Sequence, residues 1–428
     1  MTRGPAALAF LLLLAGCASK PDRTVTLRFW GMGREGEVVS ELVPEFERRH
    51  PGVRIEVQQI PWSAAHEKLL TGYVGRSMPD LFQLGNTWVS EFAALGALEP
   101  LDARVAASTV VDPESFFSGI WDTNVVDGVT WGLPWYVDTR VIFYRKDLLR
   151  EAGFDSFPGD WDGWRRAMDA MKARAGNDRY VLFLPLNEWN PQAILGLSAG
   201  SSLLGARDTK GAFSGPEFRR GFDFYLACFN DRLAPPFAHA DIANVYQEFD
   251  RGYISMWITG PWNVGEFRRR VPADRQDTWG TAPFPGPTGP SDGLSLAGGS
   301  SLAIYRGSPH REVAWQFVEY LSEVDTQLRF HRLTGDLPAR IEAWRDTALS
   351  NDPEMMAFGE QLRRVVSTPK VPEWEQIAFR LQERTEQAVR GAATPAVALG
   401  ELDKDVDKIL EKRRWLVEKR AADRAHLP

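Results

Sequence analysis

Strands and helices alternate along residues 24–84, and this alternation constrains the fold more than any other feature of the chain. Apolar and β-branched residues recur at a period of two or in short runs, which predicts strands over residues 24–30, 53–57 and 80–84. Apolar residues at helical spacing predict helices over residues 37–50, with a break at Pro44, and over 64–74. This order is typical of a doubly wound α/β lobe with a parallel sheet.

A central segment, residues 132–154, precedes a second alternating region. It places Tyr136 in a turn before Asp138 and Arg140, so that an aromatic face lies beside fixed charges, which suits a polar ring-shaped ligand. The alternative is a core strand with a surface ion pair. The pattern predicts further strands over 141–144, 180–184, 253–259 and 301–305, and helices over 146–151, 164–174, 216–229 and 311–330. A chain of 428 residues exceeds one ordinary core, so we expect two or three domains and favour two α/β lobes between which the chain passes more than once.

The first seventeen residues have the composition of an export signal. A basic start is followed by an apolar run over residues 6–15, which is too short to span a bilayer. The Leu-Ala-Gly-Cys sequence that ends at Cys17 resembles the lipobox of bacterial lipoproteins, in which the cysteine carries the lipid; the alternative is an ordinary signal peptide cut elsewhere. We therefore predict a signal peptide over residues 1–16, lipidation of Cys17 and a location at the cell envelope, in the periplasm or on the outer face of the cytoplasmic membrane. With Cys17 acylated, Cys228 has no disulfide partner.

Three motifs in the sequence suggest enzymes, and each lacks part of its required context. Residues 31–36 match the GxGxxG of dinucleotide-binding folds, but Glu56 lies inside its strand and not at its end. Residues 196–200 match the GxSxG of a nucleophile elbow, but no strand precedes them. His66 begins an incomplete HExxH motif. We therefore predict no cofactor and no metal, and the net charge of −7 argues against nucleic acid or an anionic membrane as the main partner.

Six segments together resemble the family 1 extracellular solute-binding proteins of carbohydrate ABC importers, particularly the maltose/trehalose-type sugar-binding lipoproteins. They are residues 27–57, 77–102, 132–154, 250–267, SLAGGSSLAI at 295–304 and LTGDLPAR at 333–340. The resemblance implies a periplasmic-binding-protein-like fold of type II, with two lobes joined by a hinge of three crossings near residues 137–141, 300–303 and 335–340. It divides the chain into lobe 1, residues 17–137 plus 303–340, and lobe 2, residues 138–302 plus 341–428.

The resemblance also implies a set of ligand-binding residues in the cleft between the lobes. Relatives often carry an acid where this chain has Asn86. Carboxylates, amides and guanidinium groups can satisfy sugar hydroxyls, and indole or phenol rings pack on the apolar faces of pyranose rings. Trp88 and Trp262 could instead belong to the core, and Asp138 could simply pair with Arg140. The implied ligand-binding residues are Trp30, Arg34, Glu35, Asn86, Trp88, Tyr136, Asp138, Trp262, Gly298, Gly299, Ser300, Asp336 and Arg340.

The function that the resemblance implies is ligand capture and not chemistry. We expect a monomeric substrate-binding subunit that closes around a short oligosaccharide, such as maltose, trehalose or another α-glucoside. It would then deliver the sugar to the permease subunits of the importer, and it would touch the membrane only through its lipid anchor. Two other classes stay open: a secreted glycoside hydrolase, because any two of the 57 acidic residues could meet in space, and a periplasmic oxidoreductase that uses the loop at residues 31–36.

Overall fold

The computed structural model describes residues 24–425, with side chains as far as residue 419. The predicted signal peptide and Cys17 lie outside the described residues. Within residues 24–425, no helix is long and apolar enough to cross a membrane.

The strands are numbered in chain order. They are β1 (Val25–Met32), β2 (Val53–Ile60), β3 (Leu81–Gly85), β4 (Val125–Val126), β5 (Val129–Thr130), β6 (Leu133–Asp138), β7 (Val141–Arg145), β8 (Leu182–Phe183), β9 (Leu204–Gly205), β10 (Lys210–Gly211), β11 (Met256–Thr259), β12 (Trp279–Ala282), β13 (Ser295–Leu296), β14 (Gly298–Ile304), β15 (Leu337–Pro338) and β16 (Val365–Val366).

The α-helices follow the same numbering. They are α1 (Gly33–Val38), α2 (Val43–Arg49), α3 (Trp62–Val74), α4 (Val89–Ala94), α5 (Asp102–Ala107), α6 (Ser118–Asp122), α7 (Lys146–Glu151), α8 (Trp161–Ala175), α9 (Asn190–Ser198), α10 (Pro216–Asn230), α11 (Val245–Asp250), α12 (Trp262–Arg270), α13 (Arg311–Ser322), α14 (Val324–Thr334), α15 (Thr347–Ser350), α16 (Pro353–Gln361), α17 (Trp374–Val389), α18 (Pro395–Ile409) and α19 (Glu411–Ala425).

Two mixed sheets form the centres of two α/β lobes. The first has six strands in the order β15-β6-β14-β3-β1-β2, and the second has four in the order β12-β7-β11-β8. The prediction of a parallel sheet holds for β1, β2 and β3. The sheet as a whole is mixed, because β14 runs antiparallel to both β3 and β6. These antiparallel strands flank the places where the chain passes between the sheets.

The chain passes directly from one sheet to the other at the centre of the molecule. Strand β6 ends at Asp138 in the six-stranded sheet, and β7 begins at Val141 in the four-stranded sheet. The chain returns to the six-stranded sheet in β14 and stays there through β15. It then crosses back, because α16, which follows β15, packs on β12 of the four-stranded sheet. The exact lobe boundaries stay a prediction.

Two predicted helices are interrupted, one as expected and one not. The helix predicted over residues 37–50 is split before Pro44, which lies in the first turn of α2. The single helix predicted over 311–330 is wrong, because Glu323 has an extended backbone (ψ 138°) that separates α13 from α14. The carboxylate of Glu323 accepts a hydrogen bond from Arg49 of α2 at 2.8 Å, so a contact distant in sequence accompanies the break.

The six-stranded sheet is covered on both faces by apolar clusters. Leu27 and Phe29 of β1 pack with α2 and α13 on one face, and Met32 and Phe82 pack with α3 and α4 on the other. A further cluster holds the second sheet to α8, α10, α17 and α18. These packed layers hold the strand ends that face the space between the lobes.

Candidate ligand-binding site

A cavity of about 540 Å³ lies between the two lobes, beside the segments that connect them. The six-stranded lobe, the four-stranded lobe and the connecting segments all contribute to its wall. Its lining residues are Glu35, Trp62, Gly85, Asn86, Thr87, Trp88, Tyr136, Asp138, Arg140, Trp189, Asn190, Trp262, Leu296, Ala297, Gly298, Gly299, Asp336, Thr368 and Glu375.

Helix N-termini bring several of these side chains to the cavity. Trp62 is the first residue of α3, Trp262 is the first residue of α12, and Trp189 directly precedes α9. Glu35 and Glu375 lie in the first turns of α1 and α17. The first N–H groups of a helix have no partner within it, so this end of each helix offers donors and a partial positive charge to a polar ligand.

Four indole rings give the cavity apolar faces. Trp62 and Trp88 meet edge to face, with ring centroids 6.1 Å apart. Trp62 remains 39% exposed and Trp262 remains 47% exposed, although both are large apolar side chains. The guanidinium of Arg140 lies over the Trp262 ring, 4.6 Å from its centroid, in cation–π geometry. These exposed indole faces are open to a ligand with an apolar face of its own.

Glu35 is the centre of a buried hydrogen-bond network on one wall of the cavity. Its carboxylate accepts from the Tyr136 hydroxyl at 2.9 Å and from the Trp62 indole at 3.3 Å. The Tyr136 hydroxyl in turn accepts from Ser300 Oγ at 3.0 Å and from Gln83 Nε2 at 3.2 Å. Burial raises the pKa of Glu35, although these hydrogen bonds oppose the shift. The network therefore holds a tyrosine and a tryptophan in fixed orientations around one carboxyl group.

Two further carboxyl groups face the same space. Asp138 accepts a hydrogen bond from Arg140 at 3.1 Å, yet burial still raises its pKa because it outweighs the attraction of that cation. Burial, and to a lesser extent repulsion from the Glu35 carboxylate, raises the pKa of Asp336 to about 7. A carboxyl group that is partly protonated at neutral pH can both donate and accept hydrogen bonds. Such a wall suits a neutral ligand that is rich in hydroxyl groups.

A family comparison identifies the kind of protein that carries this cavity. Residues 31–328 match the model of the bacterial extracellular solute-binding proteins. The chain belongs to this family. Among solved structures, the chain is similar to the sugar-binding protein MalE from the phytopathogen Xanthomonas citri, with 48% identity and a TM-score of 0.89 over 92% of this chain and 99% of that one. The sequence resemblance and the two-lobed fold are both confirmed.

Two relatives extend the comparison to other organisms. An uncharacterised lipoprotein of Streptomyces antibioticus is 29% identical over 92% of this chain and 87% of its own length. A maltotriose-binding protein of Pyrococcus abyssi is 25% identical over 79% of this chain and 71% of its own length. The similarity thus covers most of this solute-binding protein and includes both lobes.

Most of the residues predicted from the resemblance lie on the cavity wall. The nine that line it are Glu35, Asn86, Trp88, Tyr136, Asp138, Trp262, Gly298, Gly299 and Asp336. Trp88 and Trp262 are therefore not confined to the core, and Asp138 faces the cavity while it pairs with Arg140. Ser300 is buried behind Tyr136, where it supports the network.

Three predicted residues lie away from the cavity wall of this solute-binding protein, which corrects the sequence-based set. The indole of Trp30 packs beneath α3, with Lys68 Nζ 4.9 Å from its ring, because strand alternation turns it from the cavity. Arg34 lies in a neighbouring groove and donates to the Leu333 carbonyl at 3.3 Å. Arg340 is buried and donates to the Val110 and Ser322 carbonyls at 2.8 and 3.2 Å, inside the first lobe.

Several cavity residues were not predicted from the sequence. Trp62 follows β2 as Asn86 follows β3, so its place after the carboxyl end of a predicted strand is the signal that could have found it. No local signal distinguishes Trp189, Asn190 or Glu375, since only the packing of distant helices brings them to the cavity.

The motifs that suggested enzymes have structural roles in this solute-binding protein. Ser198 is the last residue of α9, and its hydroxyl accepts from the Leu294 backbone N–H at 3.1 Å. It therefore does not occupy a strand-to-helix elbow. In the GxGxxG segment, Gly31 and Gly36 approach so closely that a Cβ atom on Gly31 would lie 2.5 Å from the Gly36 Cα. These glycines allow tight packing of β1 against α1.

Proposed function

We propose that this solute-binding protein is the substrate-binding subunit of a carbohydrate ABC importer. It captures a short oligosaccharide in the cavity between its lobes and delivers it to the permease subunits in the membrane. Two of the proteins to which it is similar are named for binding sugar or maltotriose, which supports a carbohydrate ligand. Maltose, trehalose or another α-glucoside is the first candidate.

The observation that carries this proposal is the pairing of exposed indole faces with carboxyl groups in one cavity between the lobes. Trp62 and Trp262 offer apolar faces, while Glu35, Asp138 and Asp336 offer hydrogen bonds in the same space. A pyranose ring has apolar C–H faces and a rim of hydroxyl groups that donate and accept. Burial of the C–H faces contributes about 25 cal/mol per Å², and each hydrogen bond to a charged group contributes about 1.5–3 kcal/mol.

The size of the cavity agrees with a small glycan. Its volume of about 540 Å³ falls within the range of about 300–1,000 Å³ that is usual for small-molecule sites. Because the wall includes residues of both lobes, a bound ligand stabilises the closed arrangement over an open one. The nine predicted residues on the wall, together with Trp62, Arg140 and Trp189, are the proposed ligand contacts.

The cellular setting belongs to the same proposal. Export, removal of residues 1–16 and lipidation of Cys17 would tether a monomeric binding protein at the cell envelope. The similarity to a lipoprotein of Streptomyces antibioticus supports a lipid anchor. The protein then acts by capture and presentation, without changing its ligand.

A fluorescence titration tests the proposal. Maltose, trehalose, longer maltodextrins and xylosides are added to the purified protein while tryptophan emission is followed, and each mixture is assayed for products. Saturable quenching or a blue shift, with the sugar unchanged, is the expected result because four indoles line the cavity. Binding with cleavage would instead favour the glycoside hydrolase, and absence of any response would remove the proposed ligand class.

A further inference from the structure

A side-chain hydrogen bond joins the two lobes at the cavity wall, apart from the chain crossings. Thr87 lies in the turn after β3 in the first lobe, and Glu375 lies in the first turn of α17 in the second. The Thr87 hydroxyl donates to Glu375 Oε1 at 2.6 Å. Both residues line the cavity, so this bond closes part of its rim.

Thr87 and Glu375 each lie in a segment that is packed against the core of its own lobe. Next to Glu375, Trp374 is buried in the apolar cluster that holds α17 to α10 and α18. On the other side, the Trp88 ring packs over Gly85, and the turn that contains Thr87 packs on β14. A hydrogen bond between two such segments reports their relative position, because the backbone at each end is packed within its own lobe.

The first lobe also offers a favourable charge to Glu375. The His66 imidazole of α3 lies 4.9 Å from the Trp88 ring and 2.6 Å from a carboxylate oxygen of Glu91. The hydrogen bond to Glu91 raises the pKa of His66, and the negative charge of Glu375 across the lobe boundary adds to the shift. A protonated His66 imidazole therefore attracts the Glu375 carboxylate across the lobe boundary, and the Glu91 carboxylate beside it opposes that attraction.

We propose that Thr87 and Glu375 form an interlobe latch, a positioning pair that stabilises the closed arrangement before any ligand arrives. The inference rests on the proposed function, because it concerns how the same cavity gains affinity. The apparent Kd equals the intrinsic Kd divided by the fraction of protein in the binding-competent arrangement. A latch that raises this fraction strengthens the binding of every ligand by the same factor.

A direct contact between Glu375 and the ligand would behave differently. In that case, Glu375→Gln would weaken different sugars unequally, since their hydroxyl groups differ in position. Removal of the Thr87 hydroxyl would have little effect, because the carboxylate would remain in the cavity. The Thr87→Val variant therefore separates a latch from a ligand contact.

The test measures binding and lobe separation in the same variants. We expect T87V to raise the Kd of every sugar that binds by one common factor of about three to ten, the upper value being equal to about 1.4 kcal/mol, with faster dissociation. T87S keeps the donor hydroxyl and should restore the affinity. Spin labels at V74C and V397C, two exposed positions on the opposite lobes, should report a shift to longer distances in ligand-free T87V; Cys228 is buried and stays unlabelled.

Matched controls use the same substitutions away from the lobe boundary. Thr71 is exposed on α3, and Glu383 lies on α17 in an ion pair with Arg380, so T71V and E383Q should leave both readouts unchanged. Unchanged Kd and distances in T87V, or unequal changes among sugars, would overturn the latch. If the wild type binds none of the sugars, the proposed ligand class fails, and the distances alone decide the latch.

Discussion

Replacement of Trp262 by alanine should weaken sugar binding without unfolding the protein. Trp262 is the first residue of α12, it is 47% exposed, and the guanidinium of Arg140 covers one face of its ring. A tryptophan side chain presents about 150–250 Å² in total, so about 100 Å² of it is exposed, divided between the cavity and the neighbouring groove.

The size of the effect follows from this area. At about 25 cal/mol per Å², full coverage of the exposed surface contributes about 2.5 kcal/mol, and coverage of a single ring face contributes about half of that. We therefore expect Trp262→Ala to raise the Kd by about 8- to 70-fold. The melting temperature should change little, because the ring lies outside the buried core.

Calorimetric titration of the sugar that binds the wild type measures this change. Trp415→Ala is the matched control, because Trp415 is 57% exposed on α19 and is not part of the cavity wall. Its Kd should equal that of the wild type. An unchanged Kd for the Trp262 variant would refute the assignment of this indole as a stacking surface, and equal losses in both variants would point to a general effect on the fold.

Three further predictions concern the carboxyl groups and the connecting strand. Glu35→Gln removes the charged acceptor of the Tyr136 hydroxyl, so the Kd for the sugar, measured by calorimetry, should rise about tenfold or more. The melting temperature should not fall, because the same change removes a carboxylate that is costly to bury. Burial raises the pKa of Asp336 to about 7, so the folded state holds a proton that the unfolded state has lost, and this group destabilises the fold as the pH rises. Urea unfolding measures the free energy of unfolding of Asp336→Asn and of the wild type, and the value for the variant minus that for the wild type should increase by about 1 to 4 kcal/mol from about pH 4 to pH 7. A difference that does not change with pH would contradict this. Gly299 has φ +115°, and a Cβ there would lie 2.3 Å from the Tyr136 carbonyl oxygen. Gly299→Ala should therefore lower the free energy of unfolding by about 2 kcal/mol or more. As a control, Gly400→Ala, in the open surroundings of α18, should raise it by about 0.5–1 kcal/mol.

The local elements of this fold could be predicted because their signals are local. The helix predicted over residues 146–151 has the bounds that the structure shows, and the hydrophobic face of residues 37–50 survives the break at Pro44. In contrast, the break at Glu323 accompanies an ion pair with Arg49, which no pattern within residues 311–330 reveals. Strand direction is equally non-local, so a strand pattern at 301–305 did not show that β14 runs antiparallel.

The candidate site was predictable in part for the same reason. Tyr136 and Asp138 lie in one segment where the chain changes sheets, so sequence and resemblance both selected them. Trp30 was misplaced because alternation along β1 directs its indole towards α3. Glu375 was missed because its role depends on the approach of α17 to a turn almost three hundred residues earlier in the chain.

A crystal structure of the protein, grown with the sugar that gives saturable binding, would show where that sugar lies and whether it is intact. We expect an intact sugar in the cavity of about 540 Å³, with a ring face on Trp262 or Trp62 and hydroxyl groups within hydrogen-bond distance of Glu35, Asp138 or Asp336. A sugar bound elsewhere on the surface, or one cleaved in the cavity, would contradict it.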